Sequence, residues 1–344
     1  MTALRPHSLA LRALRASPTI RPSYRNISLL PSTIPRKTPN TRAHSTSSVS
    51  ADEVSHFSKL ASSWWDPMGP SRILHLMNPL RHEFIASCLS DSPPSGPSTA
   101  ANLNYLDIGC GGGIFAESLA RTIPLDPSSQ APAPTPTRAA SMTAIDPTTQ
   151  LIQIARDHAR MDPTVEAHMR SGRFKYLNTT LEDVLAGSVT DTSSTPSTHQ
   201  QFDMVTLFEV IEHIDPTTTT PQAFLANCLR ALKPGGWLIG STISRTFPSW
   251  ILNQVIAEAP WPIGVVPRGT HEWSKFVNPS ELHSWAQEGL MRAADTNVSK
   301  AGPAALDGMR WKCVGAVYVP GLGWKLVPGS EDWGNYFWAV KKGL

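Results

Sequence analysis

Three residues able to handle a metal or a proton sit together in the segment FEVIEHID: Glu209, Glu212 and His213. If this stretch turns helically, spacings of three and four residues project all three to one side. Two carboxylates and an imidazole can hold a divalent cation such as Mg²⁺. Such a cation would bind two neighbouring oxygens of a ligand and lower the pKa of a bound hydroxyl. A metal-free reading uses the same side chains, with Glu209 and His213 as general base and orienter. A third reading is a solvated loop of charges.

A second constellation lies upstream, in LDIGCGGGIFAESLA. Apolar Tyr105, Leu106 and Ile108 predict a buried strand. Gly109, Gly111 and Gly113 then let the chain turn tightly into a helix, with its backbone close to a ligand. Gly111-x-Gly113-x-x-Ala116 also fits a dinucleotide fingerprint, so the glycines alone are ambiguous. Asp107 helps to decide. A carboxylate two residues before the first glycine would repel a pyrophosphate but suits an ammonium group, as on the methionine part of S-adenosylmethionine. Asp146 ends the next predicted strand, where an acid can accept both ribose hydroxyls. A Pro-rich insertion accounts for its distance from the glycines. Asp146 also suits a helix N-cap before Pro147, and the two roles are compatible. Leu181, Glu182 and Asp183 are weaker candidates for an adenine pocket.

The elements that must position these groups alternate. Strands are predicted over NYLDIGC, SMTAID, RFKYLNTT, QFDMVTLFEV and WLIGSTIS. Helices are predicted over GIFAESLARTI, PTTQLIQIARDHAR and PQAFLANCLRALKPGG. This is the pattern of an α/β fold with a parallel, doubly wound, Rossmann-like sheet covered on both faces. It places Glu209 and the glycines at strand C-terminal ends, where ligands bind. Two helical regions precede the alternation: His56–Asp66, and Arg72–Ser90 with a break at Asn78-Pro79. Low-complexity insertions fall near 90–101, 124–138 and 187–200, between elements, where extra length costs little. After Arg245 the chain turns Trp- and Pro-rich, with nine of its eleven tryptophans at or beyond Trp237. Within it, Ile251, Leu252, Val255 and Ile256 can share one apolar helix face. Trp250 and Trp261 suit a membrane interface, although the segment serves equally as a lid on the core.

The whole chain carries a formal +3, yet residues 1–51 hold no Asp or Glu and eight Lys or Arg, leaving −5 for the rest. The basic balance therefore belongs to the leader, and a nucleic-acid partner is disfavoured. An Arg- and Ser-rich, acid-free start has the composition of a mitochondrial transit peptide. It is assigned to 1–48, ahead of a catalytic domain over 52–344, with cleavage near Arg42–Ser50. The four cysteines show no CxxC spacing, which argues for a reduced compartment. No run of 18 apolar residues predicts a membrane span.

From about His56 to the C-terminus these motifs resemble the ubiquinone-biosynthesis O-methyltransferases in their mitochondrial form. WWDPMGPSRILHLMNPLR (Trp64–Arg81), LDIGCGGGIFAESLAR, FEVIEHI, STISRTFPSW and VPRGTHEWSKFVNPSEL carry the likeness; NPLR and GTHEWSKF are its most specific parts. The low-complexity insertions are departures. The resemblance implies a class I methyltransferase fold with an N-terminal helical region and a C-terminal lid or membrane-contact extension. It implies S-adenosylmethionine contacts through Arg81, Gly109, Asp146 and Phe208, the last largely through its backbone. A guanidinium at position 81 can pair with the methionine carboxylate in bidentate fashion. It also implies Mg²⁺ bound by Glu209, Glu212 and His213. The implied substrates are polyprenylated catechols, a dihydroxy-polyprenylbenzoate and a demethylubiquinol. Their isoprenoid tails imply peripheral contact with the matrix side of the inner mitochondrial membrane, within a multi-subunit biosynthetic complex.

Overall fold

The computed structural model describes residues 47–91, 102–126, 135–187, 201–259, 272–295, 302–319 and 321–344. The leader, except for its last residues, and most of each insertion lie outside that set, as does Trp261.

Two helices open the described body, α1 (Ala51–Leu60) and α2 (Arg72–Ser90). The alternating part follows as β1 (Leu103–Ile108), α3 (Ile114–Ala120), β2 (Ala139–Asp146), α4 (Thr149–Ala159), α5 (Pro163–Arg170) and β3 (Phe174–Asn178). It continues with α6 (Leu181–Leu185), β4 (Phe202–Phe208), α7 (Pro221–Arg230) and β5 (Leu232–Ile243). Then come α8 (Phe247–Trp250), which runs on as a π-helix over Ile251–Ile256, α9 (Pro279–Asp295), β6 (Arg310–Val319), β7 (Gly323–Val327) and β8 (Asn335–Lys341). Among the described residues one sheet orders its strands β3-β2-β1-β4-β5-β8-β6-β7. Strands β1 to β5 pair in parallel, and β8 returns antiparallel to β5 and β6.

Side-chain alternation explains why both faces are covered. Along β4, Met204 and Phe208 enter one core, while Val205 and Leu207 enter the other. Along β8, Phe337 and Ala339 share the first core with α2 and α3, while Tyr336, Trp338 and Val340 share the second with α7 and α9. This period of two on a sheet buried from both sides yields the near-continuous apolar strand sequences. The strand order reverses between β1 and β4, and a crevice opens beyond their C-terminal ends.

Two expectations are corrected. The break at Asn78-Pro79 does not occur: α2 runs through Pro79 without interruption. The proline removes one ladder hydrogen bond, but Met77, Leu80, Phe84 and Ile85 are buried on both sides of it. Nor is the tail chiefly a lid. Beyond α8 and its π-helical continuation it contributes α9 and three strands of the main sheet. Among the described residues no helix is long and apolar enough to cross a membrane.

Candidate active site

The crevice is a cavity of about 920 Å³. Its wall includes Arg81, Asp107, Gly109, Gly111, Asp146 and Phe208, and also Glu209, Glu212 and His213. The fold thus brings these nine predicted site residues to one cavity. Leu181, Glu182 and Asp183 lie on α6 and do not line it.

The glycine turn is built for close approach. Gly111 has φ +54°, and a Cβ there would stand 2.7 Å from the Trp64 ring. Gly113 has φ +89°, and a Cβ would clash with the Tyr176 hydroxyl. Side chains rarely adopt such φ values, so glycine is required twice over. Gly109 N–H donates to the Ile145 carbonyl at 2.9 Å, closing the turn onto β2. Asp146 accepts from Gly111 N–H at 3.0 Å and from Thr148 N–H at 2.8 Å. Its carboxylate therefore ties the glycine turn to the entry of α4, although Thr148, not Asp146, is the N-cap residue. Burial raises its pKa against those two hydrogen bonds.

Asp107 is 3% exposed and accepts from Thr206 Oγ1 at 2.6 Å. Burial pushes its pKa up to about 7, and Thr206 and Arg81 only partly offset this. A ligand cation would restore the charged form. Arg81 is equally buried, at 3%. It donates to Asn78 Oδ1 at 2.9 Å, its guanidinium lies over the Phe208 ring at 5.0 Å, and Nε has no partner. Among the described residues no carboxylate forms a salt bridge with it. Desolvation brings its pKa down to about 10, so it is still a cation at neutral pH. A buried guanidinium with a free donor is a ready site for an anion. Phe208 packs its ring against Phe115 and Phe337.

Glu209 stands directly after β4 with φ +56°, a strained conformation for a non-glycine residue. Ser241 Oγ donates to its Oε1 at 2.6 Å, and Asn335 Nδ2 approaches Oε2 at 3.4 Å. Glu212 and His213 follow in a short 3-10 turn. Glu212 is buried and accepts from Thr242 Oγ1 at 2.8 Å. Burial, and then the charge of Glu209, push its pKa up to about 7. His213 places Nδ1 3.4 Å from Glu53 Oε2 on α1. Desolvation lowers its pKa, but the Glu53 hydrogen bond and the nearby carboxylates outweigh that and raise it overall.

The expected Mg²⁺ ligands therefore share one wall without converging. Among the described residues no three Asp, Glu, His or Cys side chains are grouped to hold a metal. Their chemistry still fits a hard cation. Two carboxylates face the same cavity, and burial and the charge of Glu209 together disfavour the ionised form of Glu212. A divalent ion between them would relieve that conflict.

Several contributors were not singled out from sequence. Trp65 Nε1 donates to the Gly112 carbonyl at 2.8 Å, and its ring stacks on His158 at 3.4 Å. Trp64 packs on Gly111 and Gly112. The pair fastens the start of the body to the glycine turn. The WWD segment was visible only as part of a likeness, because an indole on a glycine backbone leaves no spacing signature.

Comparisons with known proteins give the family. A methyltransferase-domain family model matches residues 73–289. The mitochondrial ubiquinone biosynthesis O-methyltransferase of Candida albicans is 32% identical over 86% of this chain and 86% of its own length. The chain belongs to the ubiquinone biosynthesis O-methyltransferase family. The Schizosaccharomyces pombe mitochondrial protein is 36% identical over 70% of this chain and 72% of its own. A Methylobacterium relative is 35% identical over 72% and 85%. Family membership and the strand order together make the fold that of a class I methyltransferase, and the protein an S-adenosylmethionine-dependent O-methyltransferase.

Proposed function

We propose that this enzyme methylates ring hydroxyls of polyprenylated catechols in ubiquinone biosynthesis, acting on 3,4-dihydroxy-5-polyprenylbenzoate and demethylubiquinol. The observation that carries the reading is the shared cavity. Its lining holds Arg81, Asp107 and Asp146 together with Glu209, Glu212 and His213. Arg81 would take the methionine carboxylate of the donor, Asp107 its ammonium, and Asp146 the ribose hydroxyls. Gly109 and Gly111 admit the ligand against bare backbone.

The reaction is an in-line displacement. The catechol oxygen forms a bond to the methyl carbon as the carbon–sulfur bond breaks, and the sulfonium becomes a neutral thioether. The methyl is already activated, so orientation supplies much of the rate. Glu209 and His213 would take and steer the departing hydroxyl proton, as base and orienter. Glu209, Glu212 and His213 are also the residues that would hold Mg²⁺. When bound, that ion makes a chelated hydroxyl more acidic.

The apolar mouth supports a prenylated substrate. Leu252 and Ile256 line the cavity and are each 44% exposed, and Trp250 and Phe247 stand beside them. An isoprenoid tail leaving there would reach a membrane surface, which supports peripheral attachment to the matrix face of the mitochondrial inner membrane. The acid-free leader and the mitochondrial relatives support import, and the polyprenylated substrate supports work within a biosynthetic complex. The test is product mass analysis with both catechols, with and without a chelator. Methyl transfer to each, lost in chelator and restored by Mg²⁺, is expected. Full-rate transfer in excess chelator overturns the metal role, and transfer to neither catechol overturns the substrate assignment.

A further inference from the structure

The first turn of α1 carries a carboxylate in an unusual position. Ser50 caps the helix, its hydroxyl accepting from Glu53 N–H at 3.1 Å. Ser-x-x-Glu at this spacing is a capping box, in which the glutamate ordinarily reaches back to the N-cap backbone. Here both carboxylate oxygens are directed elsewhere. Oε2 faces His213 Nδ1 at 3.4 Å, and Oε1 accepts from Lys275 Nζ at 3.0 Å. Lys275 in turn bridges to Glu272 at 3.2 Å. Phe57, one turn further along α1, packs edge-on against the His213 ring, with centroids 5.0 Å apart and planes at 80°. Ser48, just ahead of the helix, is buried, and its carbonyl accepts Asp215 N–H at 3.0 Å. The helix is thus tied to the catalytic turn before, at and after Glu53.

We propose that Glu53 is the positioning residue of His213, accepting from Nδ1 and so reserving Nε2 for the cavity. The proposal rests on the reading of His213 as base-side or metal-side residue given above. A histidine whose far nitrogen donates to a carboxylate is fixed in tautomer and ring orientation, and its working nitrogen becomes more basic. Lys275 keeps the carboxylate from rotating away, and Phe57 fixes the ring plane. The blander role, an ion pair that only fastens α1 to the body, predicts different behaviour.

The test uses the full chain and three variants: Glu53→Gln, Glu53→Asp and His213→Asn. Four readouts are taken: kcat and KM on a soluble catechol, S-adenosylhomocysteine affinity, Mn²⁺ affinity by titration, and the His213 ring tautomer by ¹⁵N NMR. Glu53→Gln is expected to lower kcat at least about tenfold and Mn²⁺ affinity about 10- to 100-fold, the usual range for an outer partner of a ligating histidine. S-adenosylhomocysteine affinity should stay within twofold, and the tautomer should become mixed. Glu53→Asp should recover part of kcat. Wild-type kcat and an unchanged tautomer in Glu53→Gln, with His213→Asn inactive, overturn the role of Glu53 alone. A fully active His213→Asn overturns the underlying reading of His213. If the wild type binds no Mn²⁺, the metal reading falls, and the kcat and tautomer results still decide the role of Glu53.

Discussion

Replacing Arg81 by methionine separates binding from folding, because the two should move in opposite directions. Arg81 is 3% exposed and donates to Asn78, yet among the described residues it has no ion-pair partner within salt-bridge distance. An unpaired buried cation is costly to desolvate, and an apolar side chain of similar volume in its place removes that cost. Lost attraction to Asp107 and Glu209, the two carboxylates that raise its pKa, reduces that gain. The ligand-free Arg81→Met protein should therefore melt between the wild-type temperature and a few degrees above it, at about 2 °C per kcal/mol for a domain this size. Cofactor binding should suffer. Two charge-assisted hydrogen bonds to a carboxylate contribute roughly 1.5–3 kcal/mol each. Even the lower figure, doubled, is about a hundredfold in Kd. Calorimetric titration with S-adenosylhomocysteine and a melting scan without ligand measure both quantities. A Kd within threefold of wild type, or a ligand-free melt lowered by more than about 6 °C, refutes the reasoning.

Other perturbations probe the remaining parts. Glu209→Ala and His213→Ala should abolish turnover and leave S-adenosylhomocysteine affinity within about threefold, as read by steady-state assay and titration. Asp107 has its pKa raised to about 7 by burial. A carboxyl raised on folding favours the native state at low pH, and that contribution is lost as pH climbs from about 4 through 7. Ligand-free stability should thus fall by up to about 1.4 kcal/mol per pH unit across that window; denaturant titrations of Asp107→Asn should lack this component. Gly113→Ala should cost several kcal/mol or prevent folding, since strain at positive φ adds about 1–3 kcal/mol to the clash with Tyr176; chemical denaturation reports it.

The alternating core was legible because each strand is buried on both faces and each helix carries a 3.6-residue apolar period. The glycine turn, Asp146 and the acidic cluster could be placed because strand ends in such a sheet point to one crevice. What escaped was mostly tertiary. Pro79 reads as a break, and packing on both sides of it overrules the local signal. Strands β6 to β8 lie in a Trp- and Pro-rich tail that joins the main sheet only where β8 pairs with β5, a partner distant in sequence, and α5 lies hidden between α4 and β3. Trp64 and Glu53 acquire their roles only when the first helices fold back over the crevice.

That fold-back has a bearing on how the protein is made. The chain has no acidic residue before Asp52, and the next one, Glu53, already reaches the catalytic turn. An import signal, as proposed for the leader, favours a stretch free of negative charge, and the role proposed for Glu53 requires a carboxylate immediately after it. The two demands meet with no spacer between them. A processing cut a few residues late would remove Ser48 and the Ser50 cap and leave a body still able to fold around its sheet but with His213 unsupported. Accurate maturation would then determine how much of the protein is competent enzyme.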